Sequence, residues 1–138
     1  MGIPNDILAK GEQLTAEEFE TLKTHTTIGH NVLSDAEKNF NAPVDFLKCA
    51  KQMTLSHEEN WDGSGYPRGL SGEEIPIPAR LIGIVDAYDA VISDGVSHEE
   101  ALRQIGEGKG SRFDPDVADA FVAIGERIAK IVALFPAN

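Results

Sequence analysis

His57-Glu58-Glu59-Asn60-Trp61-Asp62-Gly63-Ser64-Gly65-Tyr66-Pro67-Arg68-Gly69-Leu70 sets a histidine at the end of an apolar-patterned segment and directly before a loop punctuated by glycines. The segment before it, Pro43 to His57, carries Phe46, Leu47, Ala50 and Met53 on one side at helical spacing, with His57 one turn beyond Met53. Proline suits the first turn of such a helix, where an N–H has no intrahelical partner to lose. Within the loop, Asp62-Gly63, Ser64-Gly65, Pro67-Arg68-Gly69 and Ser71-Gly72 are turn signals, and Trp61 and Tyr66 are the side chains expected to pin it to the core. Loops of this length are uncommon unless they have a function, although a plain structured loop is the alternative reading.

Outward from this stretch the chain reads as helices. Thr15 and Glu18 form a capping box that opens a helix whose inner face is expected to run Phe19, Leu22, His25, Gly29 and Val32. Downstream, Ile75-Pro76-Ile77-Pro78 ends an extended segment and opens a helix through about Ser93. That helix is apolar almost all round and is expected to be central. Ser97-x-x-Glu100 caps a short helix through Ile105, and Asp114-Pro115 starts the last, with Val117, Phe121, Ile124, Ile128 and Ile131 at helical spacing. The alternating pattern of strands is absent, so the expectation is an all-α helical bundle forming a single domain over residues 1–138.

Composition limits the partners. Twelve basic against 23 acidic residues give a formal charge of −11, which argues against non-specific nucleic-acid binding and against direct contact with an anionic membrane. A polyanionic substrate would then need metal cations or a local basic cluster to bring it in. The single Cys49 excludes an internal disulfide framework and fits a reducing compartment. With no signal-peptide pattern and no apolar run long enough to span a bilayer, a cytoplasmic location is expected.

His25, His57 and Asp86 each fall on the apolar side of a different expected helix, which would let them converge inside the bundle. Asp86 sits among Leu81, Ile82, Ile84, Val85 and Tyr88, and a carboxylate buried there is costly unless a cation compensates it. Two imidazoles and a carboxylate suit iron, manganese or zinc. The plainer reading is that each histidine is a hydrogen-bonded core residue. His30 and His98 are expected at the surface.

Thr24-His25, the loop with Gly65-Tyr66-Pro67, and Val85-Asp86-Ala87-Tyr88-Asp89-Ala90 together resemble the HD-GYP family, bacterial metal-dependent phosphodiesterases that hydrolyse cyclic di-GMP. The resemblance runs over nearly the whole chain. It implies the HD-superfamily helical fold, His25, His57 and Asp86 as metal ligands, and two or more divalent metal ions in an intact relative. It also implies Gly65, Tyr66, Pro67 and Arg68 as a loop near the substrate cleft, which in the family is associated with docking of a diguanylate cyclase (GGDEF) domain. Asp89 is implied as an outer or packing residue. The pattern departs in three places: Ser56 stands where the family has the first histidine of His-His-Glu, the His-Asp pair of the N-terminal helices is not represented, and only Gly95-Val96 stand where a basic segment is usual. The enzyme reading therefore stands beside a non-catalytic member acting as cyclic-dinucleotide sensor or protein-docking module. A broader HD-superfamily phosphohydrolase would account for the ligands but not for the loop.

Overall fold

The computed structural model describes residues 2–11, 13–39 and 45–134. These form α1 (Asn5–Leu8), α2 (Ala16–Lys38), α3 (Asp45–Ser56), α4 (Ile77–Ser93), α5 (His98–Glu107), α6 (Pro115–Ala123) and α7 (Gly125–Val132), with a 3₁₀ turn at Gly72–Glu74. Extended pairing among the described residues is limited to two isolated bridges, Asp62 with Ser71 and Lys109 with Phe113. The all-α expectation is met. Pro43, expected in the first turn of α3, lies outside the described residues.

Local hydrogen-bond chemistry sets where α2 begins. The Thr15 hydroxyl accepts from the Glu18 amide at 3.2 Å, and the Glu18 carboxylate accepts from the Thr15 amide at 2.9 Å. The buried side of this helix differs from the expected one, because Phe19 and Val32 are exposed while Thr26 is fully enclosed. Small residues make the contact with α3: a Cβ at Gly29 would lie only 2.4 Å from Thr54 Cγ2, so close approach of the two helices replaces interdigitation of large side chains. Thr26 is accommodated there because its hydroxyl donates to the Lys23 carbonyl at 2.9 Å.

The main core lies among α4, α5 and α6, where Ile84, Ala87, Tyr88, Ala101, Ile105, Phe113 and Ala118 are buried together. His98 is not the free surface residue expected; its Nδ1 lies 2.7 Å from the Tyr88 hydroxyl, tying the first turn of α5 to α4. α4 is central in that α3, α5 and α6 all pack on it. It is not enclosed, however: Leu81, Val85, Asp86 and Asp89 are all exposed among the described residues. The expected last helix is also corrected, since it divides at Ile124 into α6 and α7. There Gly125 is buried against α5, where a Cβ would come within 2.5 Å of Leu102 Cδ1, and the chain turns to make that approach. No helix among the described residues is long and apolar enough to cross a membrane.

Candidate functional site

His25 projects from the middle of α2 and His57 follows directly on α3, so the tight α2–α3 crossing brings their rings together. The two Nε2 atoms are 3.2 Å apart. Each ring's other nitrogen faces backbone oxygen: His25 Nδ1 lies 2.7 Å from the Leu22 carbonyl, and His57 Nδ1 lies 3.1 Å from the carbonyls of Met53 and Thr54. A carbonyl can only accept, which assigns the proton of each neutral imidazole to Nδ1 and leaves both Nε2 lone pairs facing the same point. Glu58 Oε1 stands 3.9 Å from both Nε2 atoms. Two lone pairs and a carboxylate converging without a donor between them suit a cation.

The dimensions suit a metal ion as well. Nitrogens bound about 2.0–2.1 Å from one metal at tetrahedral or octahedral angles lie about 3 Å apart, which is the separation found here. Backbone carbonyls hold the Nδ1 side of both rings, the support that fixes tautomer and orientation in metal-binding histidines. His25, His57 and Glu58 offer ligand atoms within 4.8 Å of one another, and all three are only partly buried, which leaves room for further ligands or substrate.

Asp86 is placed differently from the expectation. It is exposed on α4 and stands outside that close set, although it lines the same pocket as His57 and Glu58. Its apolar sequence neighbours do not enclose it because Leu81 and Val85 are themselves about half exposed, at 51% and 48%. The argument from a costly buried carboxylate therefore falls for Asp86. Proximity to two imidazole lone pairs makes Glu58 the acidic residue in the cluster, and sequence reasoning passed over it. Its position next to His57 was the available signal.

Glu59, also passed over, organises the loop. Its carboxylate is almost fully enclosed, at 6% exposure, and accepts from the Arg68 amide at 2.8 Å and the Leu70 amide at 2.9 Å. Ser56 is buried and accepts from Arg68 Nη2 at 2.8 Å. The serine that departs from the family histidine thus serves as a tether for Arg68. Gly65 permits the loop to fold back: a Cβ there would lie 2.3 Å from the Asn60 nitrogen and 2.4 Å from the Glu58 oxygen, and the next amide, of Tyr66, donates to that same carbonyl at 3.1 Å. The Tyr66-Pro67 bond is cis. Tyr66 packs edge-on against His25 with ring centres 6.4 Å apart. Burial, then the charge of Glu58, then that of Asp86, pushes the Tyr66 phenol well above its ordinary pKa, so it stays a neutral O–H donor beside the cluster.

Glu59→Gln is expected to loosen this loop, because one accepting oxygen becomes an NH₂ group opposed to a backbone N–H. The cost should be about 1–3 kcal/mol by chemical denaturation. Hydrogen exchange at the Arg68 and Leu70 amides should accelerate, and unchanged protection at those two amides would show that something else holds the loop.

The geometry agrees with what the chain is similar to. Residues 1–117 match the HD domain family. A cyclic di-GMP phosphodiesterase of Vibrio cholerae serotype O1 is 44% identical over 140 residues, covering 98% of this chain and 28% of that protein. A cyclic di-GMP phosphodiesterase of Thermotoga maritima is 40% identical over 136 residues, covering 95% of this chain and 35% of that protein. The chain thus spans about a third of the length of these relatives. Its helices, its paired histidines and its Gly65-Tyr66-Pro67 loop place it in the HD domain family, in the HD-GYP form.

Proposed function

We propose that this chain is the cyclic di-GMP phosphodiesterase domain of a bacterial signalling protein, acting by metal-assisted phosphodiester hydrolysis. The observation that carries the reading is the pair of Nε2 lone pairs 3.2 Å apart with Glu58 3.9 Å from each. His25, His57 and Glu58 would hold a divalent ion, and the mixed nitrogen and oxygen donors suit iron, manganese or zinc. Asp86, across the same pocket, adds negative charge toward that ion. The bound ion supplies Lewis-acid polarisation of the phosphoryl oxygens and eases deprotonation of the attacking water. Water oxygen adds to phosphorus, the P–O bond to the ribose breaks, and the leaving oxygen takes a proton. The neutral Tyr66 phenol beside Glu58 lies where it can donate to a phosphate oxygen. Arg68, steadied by Ser56 and with its backbone gripped by Glu59, offers a cation at the loop. The exposed Pro67-Arg68-Gly69 tip is the surface proposed for a diguanylate cyclase (GGDEF) partner.

Ser56 favours a second reading, a cyclic-dinucleotide sensor, because it is buried and engaged with Arg68 rather than offered as a ligand. One assay separates the two. Full-length protein loaded with manganese or ferrous iron is expected to convert cyclic di-GMP to the linear dinucleotide or GMP, and to stop when a chelator is added. Tight binding without turnover would replace the enzyme reading by the sensor reading. Asp86→Ala should weaken metal retention about ten- to hundredfold, the loss usual for residues that support a site from behind its direct ligands. If Asp86→Ala loses the metal outright, Asp86 is a direct ligand and moves toward the histidines when the ion binds.

A further inference from the structure

Beside the histidine cluster, and sharing Glu58 with it, lies a groove of about 280 Å³ between α2 and the loop. Phe19, Lys23, Asn60, Ser64, Tyr66 and Arg112 line it. Phe19 is 40% exposed, unusual for an aromatic side chain on a helix that has an enclosed face available. Its ring meets Tyr66 edge-on, with centres 5.9 Å apart and planes at 85°. Lys23 Nζ stands 4.9 Å from the Phe19 ring centre and 5.6 Å from that of Tyr66. Its ion pair with Glu20 joins a well-exposed carboxylate at 2.7 Å, so the lysine is free to exchange that partner for a phosphate. Arg112, which also lines the groove, is exposed and stands over Phe113 at 5.2 Å. In a chain of charge −11, two cations and two aromatic rings gathered beside the cluster are a local exception.

We propose that this groove is a nucleotide subsite in which Phe19 stacks on a purine base and Lys23 and Arg112 hold its phosphate. The inference rests on the phosphodiesterase reading and adds which residues recognise the substrate. A nucleobase presents a flat π-face that an exposed ring can cover at little entropic cost, and nearby cations neutralise the phosphate that comes with it. The Tyr66 ring, in contact with both Phe19 and His25, joins this subsite to the candidate metal cluster. The base would then lie over α2 while the scissile phosphate lies by the histidines.

The test uses metal-loaded full-length protein, with calorimetric titration of GMP, ribose 5-phosphate and cyclic di-GMP. Wild type should bind GMP roughly ten- to a hundredfold more tightly than ribose 5-phosphate, the range set by stacking one base. Phe19→Ala should abolish that preference, Phe19→Trp should restore it, and metal content should stay at the wild-type level. Lys23→Met and Arg112→Gln should weaken GMP and ribose 5-phosphate alike and flatten the dependence on salt. Val32→Ala, on the same helix outside the groove, should leave GMP affinity unchanged. A Phe19→Ala protein that still prefers GMP overturns the subsite even if hydrolysis is intact. A wild type that binds GMP through Phe19 yet never hydrolyses cyclic di-GMP keeps the subsite and discards the enzyme. A wild type that binds neither nucleotide overturns it.

Discussion

His57→Ala is expected to strip the protein of bound metal and to lower kcat/KM for cyclic di-GMP by on the order of a thousandfold or more. The direct role of a bound ion in phosphoryl transfer is worth several kcal/mol of transition-state stabilisation, and two remaining donors, His25 and Glu58, do not hold it. The loss of affinity should exceed the ten- to hundredfold typical of outer supporting residues, which sets this variant apart from Asp86→Ala. Folding should survive, because His57 lies just beyond the end of α3, is not fully enclosed, and its removal relieves the two opposed Nε2 lone pairs. Metal analysis, turnover and a melting curve on one preparation decide it. Retention of one metal per chain with unchanged turnover would show that the two imidazoles are an ordinary packed pair. Since Asp86 is exposed, chelation of the wild type should lower stability only by the linkage of metal to the native state, about 2.7 kcal/mol when the ion stands at a hundred times its Kd.

What the sequence makes legible is what local chemistry decides. The Thr15–Glu18 box, the Ser97 cap and the Asp114-Pro115 start each depend on residues within one turn, and each stands where it is expected. The histidine pair is legible because helical spacing puts His25 and His57 on contact faces. Enclosure is harder, because it depends on what crosses the helix rather than on the helix itself. The apolar neighbours of Phe19 and Asp86 point to buried faces, yet α2 meets α3 through Thr26 and Gly29, and nothing described covers α4 at Leu81 and Val85. Nothing in the local sequence marks Glu58 or Glu59 as special, because the groups they serve arrive from elsewhere. His25 reaches Glu58 from α2, and the Arg68 and Leu70 amides reach Glu59 only after the loop has turned back at Gly65. The break at Ile124 is likewise set by a long-range contact, Gly125 against Leu102.

Asp114→Ala is expected to be the most destabilising single change away from the site, at about 3–5 kcal/mol, out of a total of about 5–15 kcal/mol for a domain of this size. Two functions meet in one enclosed carboxylate. One oxygen caps α6, accepting from the Asp116 amide at 2.9 Å and the Val117 amide at 3.4 Å. The other receives Arg80 Nη1 at 3.0 Å, and both side chains are largely shielded from water. Arg80 also donates through Nε to the Ile75 carbonyl at 2.6 Å and through Nη2 to the Glu73 carbonyl at 2.9 Å, while its guanidinium packs over Trp61 at 5.4 Å. The pair therefore joins the end of the loop, the start of α4 and the start of α6. Alanine removes the cap, worth about 1 kcal/mol, and leaves a shielded guanidinium without the one charged partner it has among the described residues. A cycle with Asp114→Asn and Arg80→Met separates the terms by chemical denaturation. Asparagine keeps the cap and loses the charge, so its cost should fall below that of alanine. The double variant should be less costly than the two single changes added together, because removing both members of a shielded ion pair leaves neither charge stranded. Strict additivity in that cycle would mean that Asp114 stabilises the protein as a helix cap alone.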